Sequence, residues 1–418
     1  MRTKVMIVVL AGIGATAVTA TRDAQNPTGG PPAAATTTTK ADDPAQTLVA
    51  RLSLERYKAT IKGLTQFGDR RQGTERNRKA VDWIEAQLKS YGCPTERLKY
   101  VYNPAPSKGG GGGGGGQKPT NPLIASGEIR TGPGGSRYRG ITRRTGVNND
   151  PNLQPDEKLR ELNREPMTPG PREQVYCTKV GSTRPEEMYI IGAHMDGHGW
   201  GEAANDNGSG TALVMELARI LSMPDVQTER TIRFALWNNE ETGLNGARAY
   251  VEQRAPLQGK EDPPGSGKYP EPKWIAMIQH DMMMWDHGMP RPDGTWNPEQ
   301  RPEADVNIEF QSTAKRADEA MKLAFLFRDA NEKYATDYPA AVGPHMTNTD
   351  STPFMDIVPA ISLRENERGM HTGAGWNPTW HQPIDVYATF SDQDFRLGLN
   401  AAQTTLGAVA QLAGAKVK

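Results

Sequence analysis

The stretch T-I-R-F-A-L-W-N-N-E-E-T-G-L-N-G-A-R-A-Y, Thr231 to Tyr250, sets three things in a row: an apolar run of strand length, a polar turn, and a helical segment from Gly243. The turn holds two adjacent acids, Glu240 and Glu241. Acids ahead of a helix complement its dipole, so on its own the pair has a plain structural explanation. The stretch therefore reads as a strand–turn–helix unit, with the purpose of the two like charges left open.

The same alternation runs through the second half of the chain. Strands are expected at E-Q-V-Y-C-T-K-V (Glu173–Val180), E-M-Y-I-I-G-A (Glu187–Ala193), T-I-R-F-A-L-W, W-I-A-M-I-Q (Trp274–Gln279), V-N-I-E-F (Val306–Phe310) and P-A-I-S-L (Pro359–Leu363). Helices are expected over Gly208–Leu221, Gly243–Arg254, Thr313–Tyr334 and Phe395–Ala413. Strands alternating with helices predict an α/β sheet with helices on its faces. Upstream, Ala45–Gly63 is helical in pattern, and A-V-D-W-I-E-A-Q-L-K-S-Y-G ends on Gly92, where a helix C-cap belongs. The strand E-R-L-K-Y-V-Y follows.

The flanking segments differ in character. Residues 1–20 have a basic start, a short apolar core and small residues at Val18 and Ala20, the pattern of a cleaved export signal, so a periplasmic or extracellular location is expected. The apolar run is shorter than the ~20 residues that a spanning helix needs, and no membrane span is expected in the mature protein. Residues 21–44 read as a disordered tether ahead of one domain over 45–418. That domain is interrupted at about 104–172 by a Gly/Pro-rich insertion opening with eight consecutive glycines, read as a surface excursion because it lacks the strand, Lys-Ser/Thr and helix of a phosphate loop. With 49 basic and 49 acidic side chains among 418 residues, the charge balance argues against nucleic acid as a partner. Whether Cys93 and Cys177 pair is open, because sequence does not fix their Cα separation.

In parallel sheets, functional side chains gather beyond the carboxyl ends of the strands. Here those positions hold His194-Met195-Asp196, then Asn205-Asp206-Asn207-Gly208-Ser209-Gly210 at a helix start, Glu240-Glu241, Asp281, and late in the chain Trp380-His381-Gln382-Pro383-Ile384-Asp385. Histidines and carboxylates converging on one edge would repel without a cation, and they are donors that Zn²⁺ accepts.

These five ordered motifs resemble the co-catalytic di-zinc exopeptidases, a family with secreted bacterial leucyl-type aminopeptidases and glutamate carboxypeptidases among its members. The similarity starts near Ala45, takes in F-G-D-R-R-Q-G-T (Phe67–Thr74), and leaves out the glycine-rich insertion. It implies a mixed, mostly parallel central sheet with helices on both faces, two Zn²⁺ ions and peptide substrates. By resemblance Asp206 would bridge the ions, His194 and Asp281 would complete one site, and Glu241 and His381 the other. Glu240 would be the general base. Asp196 would accept from the free ring nitrogen of His194, and Asp385 would support His381 in a related way.

Relatives often carry Tyr immediately before the late histidine; here Trp380 stands in that place as the possible oxyanion donor, its indole N–H differing in reach. His371 is the rival to His381, which the following Asp385 favours; His198, His280, His287 and His345 are read as structural. No catalytic role is carried onto Thr349-Asp350-Ser351-Thr352-Pro353-Phe354. The expected activity is removal of N-terminal residues from peptides. Carboxypeptidase, dipeptidase or glutaminyl cyclase chemistry on the same scaffold, and a receptor-like relative without chemistry, are the alternatives.

Overall fold

The computed structural model describes residues 43–103, 147–285, 306–346, 348–365, 377 and 379–418. The export signal, all of the tether except its last two residues, and the glycine run lie outside these residues. In chain order the elements are helices α1 (Pro44–Val49), α2 (Leu54–Thr65) and α3 (Glu75–Ser90), strand β1 (Thr95–Tyr102), helix α4 (Glu157–Asn163) and strands β2 (Gly170–Lys179) and β3 (Arg184–His194). Helix α5 (Gly210–Leu221) and strands β4 (Val226–Gln227) and β5 (Arg230–Trp237) come next, then α6 (Asn245–Arg254), β6 (Lys273–His280), β7 (Val306–Phe310) and α7 (Ala317–Tyr334). The chain closes with β8 (Ala340–Gly343), β9 (Ala360–Arg364), α8 (Asp392–Leu412) and β10 (Lys416–Val417).

Eight strands form one mixed sheet in the order β1-β2-β5-β3-β6-β9-β7-β8. Its centre, β5-β3-β6-β9, is parallel, while β1 and β2 join antiparallel on one side and β7 pairs antiparallel with β9 on the other. Parallel strands covered on both faces read as unbroken apolar runs. Accordingly β3 is buried from Met188 to His194 and β5 from Thr231 to Trp237. One face packs on α5 and α8 through Leu213, Leu217, Ile220, Leu397 and Leu406. The other packs an aromatic group of Trp237, Tyr250, Trp274 and Phe354, with Tyr250 stacked on Trp274 at 5.5 Å between centroids. Fully burying each such side chain contributes about 1.5–3 kcal/mol.

The structure departs from the expected elements where tertiary contacts override local pattern. The single N-terminal helix is two, because Ser53 caps α2 by accepting from the Arg56 amide, and the chain breaks between Val49 and Leu54. The insertion is not loop throughout: residues 147–169 include α4, and β2 begins at Gly170 rather than Glu173. Strand β8 and the two-stranded β4–β10 pair are additions.

Cys93 and Cys177 form a disulfide, with Cα atoms 5.6 Å apart. The register explains it, since Thr95 pairs directly with Cys177 across β1 and β2. The bond ties together chain positions 84 residues apart and so closes the loop that holds the insertion. Reduction, or Cys93→Ala with Cys177→Ala, is expected to cost about 4.5 kcal/mol by the chain-entropy argument. Thermal or urea unfolding with and without reductant checks this; an unchanged midpoint would contradict it.

Candidate metal centre

The central strands end at one edge of the sheet, and each delivers a polar group there. His194 is the last residue of β3, Asp281 follows β6, Arg364 ends β9, and Glu240 and Glu241 lie in the turn after β5. Asp206 lies in an irregular turn over Ala204–Ser209 that leads into α5, and His381 comes from the loop before α8.

Asp206 stands at the middle, with its Oδ1 3.4 Å from His194 Nε2 and its Oδ2 3.1 Å from His381 Nε2. His194 Nε2 is also 3.5 Å from Asp281 Oδ1, whose other oxygen accepts from Arg364 Nη2 at 2.9 Å. On the far side of Asp206, His381 Nε2 is 3.0 Å from Glu241 Oε2. Glu240 offers an oxygen within 4.8 Å of donor atoms on both His194 and Asp281. The residues singled out by the motifs thus come together, grouped on the two sides of one carboxylate.

The surrounding shell shows how the turns are held. His194 Nδ1 faces the Asp196 backbone carbonyl at 3.0 Å, whereas the Asp196 carboxylate is 3.9 Å away. This corrects the expectation that the carboxylate takes the ring proton: Asp196 Oδ1 instead accepts from the Glu240 amide at 3.0 Å and so fixes the acidic turn. Asp385 likewise does not serve His381. Its two oxygens accept from the backbone amides of Asn205 (2.8 Å) and Asp206 (3.0 Å), which pins the turn that aims Asp206. Beneath, Arg70 from the Phe67–Thr74 motif is fully buried and donates to the carbonyls of Met195, Gly68, Glu202 and Ala203. Trp380 lies against His381, ring centroids 4.5 Å apart.

Three features of the site were not among the expectations. His198, read as a structural loop residue, has Nε2 3.0 Å from Glu241 Oε2 and its ring edge-on to His381 at 4.1 Å. The signal existed in H-M-D-G-H: residues 194, 196 and 198 fall on one side of an extended chain. Asp350, buried with Oδ2 accepting from Gln279, has no hydrogen-bond partner for Oδ1 among the described residues. Residues 147–169 brace the 198–203 loop, since Gln154 donates to the carbonyls of Trp200 and Pro383, and Asn163 donates to that of Gly201. His280 donates from Nδ1 to the Gly192 carbonyl and pairs through Nε2 with Thr405 Oγ1, away from the cluster, and burial lowers it to about 4. His371 and His287 lie outside the described residues.

The electrostatics are those of acids crowded into a buried space. Burial, with Asp350, Glu241 and Asp281 nearby, pushes Glu240 well above the usual carboxylate range despite the pull of His194. Burial also raises Asp196 and Asp385 to about 7. Burial would raise Glu241 too, but the charges of His198 and His381 hold it at about 2. His381 is raised to about 9, its burial outweighed by Glu241 and Asp206. Such a donor set fits a divalent cation. The ligand types are right, and among the described residues Glu241 Oε1, His198 Nε2 and Asp196 Oδ2 are buried without hydrogen-bond partners, atoms that a cation could satisfy.

Comparison with known proteins places the chain in a family. The chain is 39% identical over 85 residues to an aminopeptidase of Pseudomonas aeruginosa, a match covering 20% of this chain and 16% of that protein. It is 36% identical over 73 residues to carboxypeptidase Q of Xenopus laevis, covering 18% and 16%. The matched stretches thus span under a fifth of these curated relatives. A zinc aminopeptidase from Bacillus subtilis shares the fold, with a TM-score of 0.57 at 17% identity over 86% of this chain and 95% of that one. The model of Peptidase family M28 matches residues 175–398, more than half of the sequence, and the chain belongs to that family.

Proposed function

We propose that the protein is a zinc-dependent exopeptidase, an aminopeptidase that removes N-terminal residues from peptides, with two Zn²⁺ ions held across Asp206 and Glu240 as general base. The observation that carries this reading is Asp206 itself, one oxygen toward His194 and the other toward His381, at 3.4 and 3.1 Å. In this reading His194 and Asp281 hold one ion with Asp206, and Glu241 and His381 hold the other.

The bound ions would lower the pKa of a water toward neutrality and polarise the scissile carbonyl. Glu240 takes the proton from the attacking water and passes it to the departing amine. Burial raises its affinity for a proton, which suits it to taking one from the water. Trp380, against His381, is the candidate donor to the developing oxyanion. Asp196 and Asp385, through the amides of Glu240, Asn205 and Asp206, hold the reacting groups in register. The basic, then apolar, then small-residue start of the sequence supports export to the periplasm or the medium. Among the described residues no helix is long and apolar enough to cross a membrane.

A second reading, a carboxypeptidase on the same centre, is favoured by the carboxypeptidase Q relative. Metal ligands fix the hydrolysis, and the surrounding loops fix which peptide end is admitted. Mass spectrometry of an unblocked peptide incubated with zinc-loaded protein separates the two: stepwise N-terminal shortening is expected, and C-terminal shortening would overturn the aminopeptidase assignment.

Glu240→Gln is expected to keep its zinc and lose on the order of 10²–10⁴ in kcat, the usual worth of a positioned base. Near-native turnover would remove Glu240 from the mechanism. Asp206→Ala is expected to lose both ions together, as read by metal content after gel filtration. Retention of one ion at full affinity would count against the bridging role.

A further inference from the structure

His198 is the group at this centre that the family pattern does not use. It lies in the loop between His194 and Asp206, 10% exposed at the side chain, with Nε2 turned to the same Glu241 oxygen that His381 faces. Both nitrogens stand 3.0 Å from Glu241 Oε2, and His381 Nε2 is a further 3.1 Å from Asp206 Oδ2. Yet His198 Nε2 makes no aligned hydrogen bond among the described residues. His198, Glu241 and His381 offer ligand atoms that all lie within 4.8 Å of one another, as donors around a cation do. With metal–donor distances near 2.0–2.2 Å, a tetrahedral set spaces its donors by roughly 3.3 Å.

We infer that His198 is a fourth protein ligand, completing with Asp206, Glu241 and His381 a closed set for one of the two cations. The inference rests on the di-zinc reading above.

The loop is built to hold the ring there. Gly199 has φ +97, and a Cβ on it would meet the His381 backbone at 2.3 Å, so only glycine lets the two loops approach this closely. The neighbouring carbonyls of Trp200 and Gly201 are held by Gln154 and Asn163 from the 147–169 segment. The part of the insertion adjoining β2 thereby acquires a purpose, fixing the loop that carries His198.

Closed four-ligand sites bind structurally, whereas catalytic sites keep a position open. The His198 side would therefore bind the tighter ion, and the open position would belong to the His194–Asp281 side, on which Glu240 stands.

The test is metal affinity and coordination rather than turnover. Zinc content is measured across a chelator series for wild type, His198→Ala and His198→Gln, with circular dichroism as the folding control. Visible absorption of the cobalt-substituted proteins is recorded in parallel. Wild type is expected to hold two ions per chain, one far more tightly, and its tighter cobalt site to show the intense bands of four-coordination. Each variant is expected to lose that ion at about tenfold lower chelator or less, with the cobalt bands weakened.

Unchanged affinities and an unchanged cobalt spectrum in a folded variant would overturn the inference while leaving the di-zinc reading intact. So would a wild-type cobalt spectrum with no four-coordinate component, which needs no variant to fold. A wild type that binds no metal would instead remove the reading on which the inference rests.

Discussion

The interaction on which the molecule turns is repulsion between carboxylates held in a space from which water is largely excluded. Asp206, Glu240, Glu241 and Asp281 are brought to one edge by separate strands and turns, with Asp196, Asp350 and Asp385 close behind. Taking isolated carboxylates out of water costs several kcal/mol each unless charge of the other sign accompanies them. The chain itself supplies part of that charge through Arg364 on Asp281 and through His194 and His381. The raised Glu240, Asp196 and Asp385 and the raised His381 show that this is not enough to let every acid ionise. Divalent cations across Asp206 would complete the balance, and ligand protons would leave as they bind.

The fold makes the crowding tolerable by fixing backbone before side chains. Asp385 holds the Asn205 and Asp206 amides, Asp196 holds that of Glu240, and Arg70 gathers four carbonyls beneath the loop between β3 and α5. Groups fixed in this way cannot swing apart to relieve the repulsion, and preorganisation of this kind is what electrostatic catalysis requires. The parallel centre of the sheet and its two apolar faces serve mainly to bring β5, β3, β6 and β9 to a common edge.

Much of this was legible in the sequence because it is local. Four of the ligand-type residues follow strand-like runs, so period and punctuation place His194, Glu240, Glu241 and Asp281 at strand ends. The rest depended on contacts between distant segments. Nothing near Asp385 says that its carboxylate will serve amides 180 residues earlier rather than the nearby His381. The segment 147–169, read as part of the insertion, holds a helix capped locally by Asp156 and packs Gln154 and Asn163 on the 198–203 loop. His198 sat in plain view in H-M-D-G-H, but a histidine between glycines reads as loop until Glu241 and His381 are seen to face it. The Cys93–Cys177 bond needed the β1–β2 register, which composition does not carry.

The most direct test of the account is anomalous diffraction at the zinc edge from crystals of the zinc-loaded wild-type protein. Two peaks are predicted, one on each side of the Asp206 carboxylate, the first beside His194 and Asp281 and the second beside Glu241 and His381. A single peak with Asp206 turned to one side, or full zinc loading with both peaks away from Asp206, would contradict the claim that this buried acidic cluster is built around a cation pair.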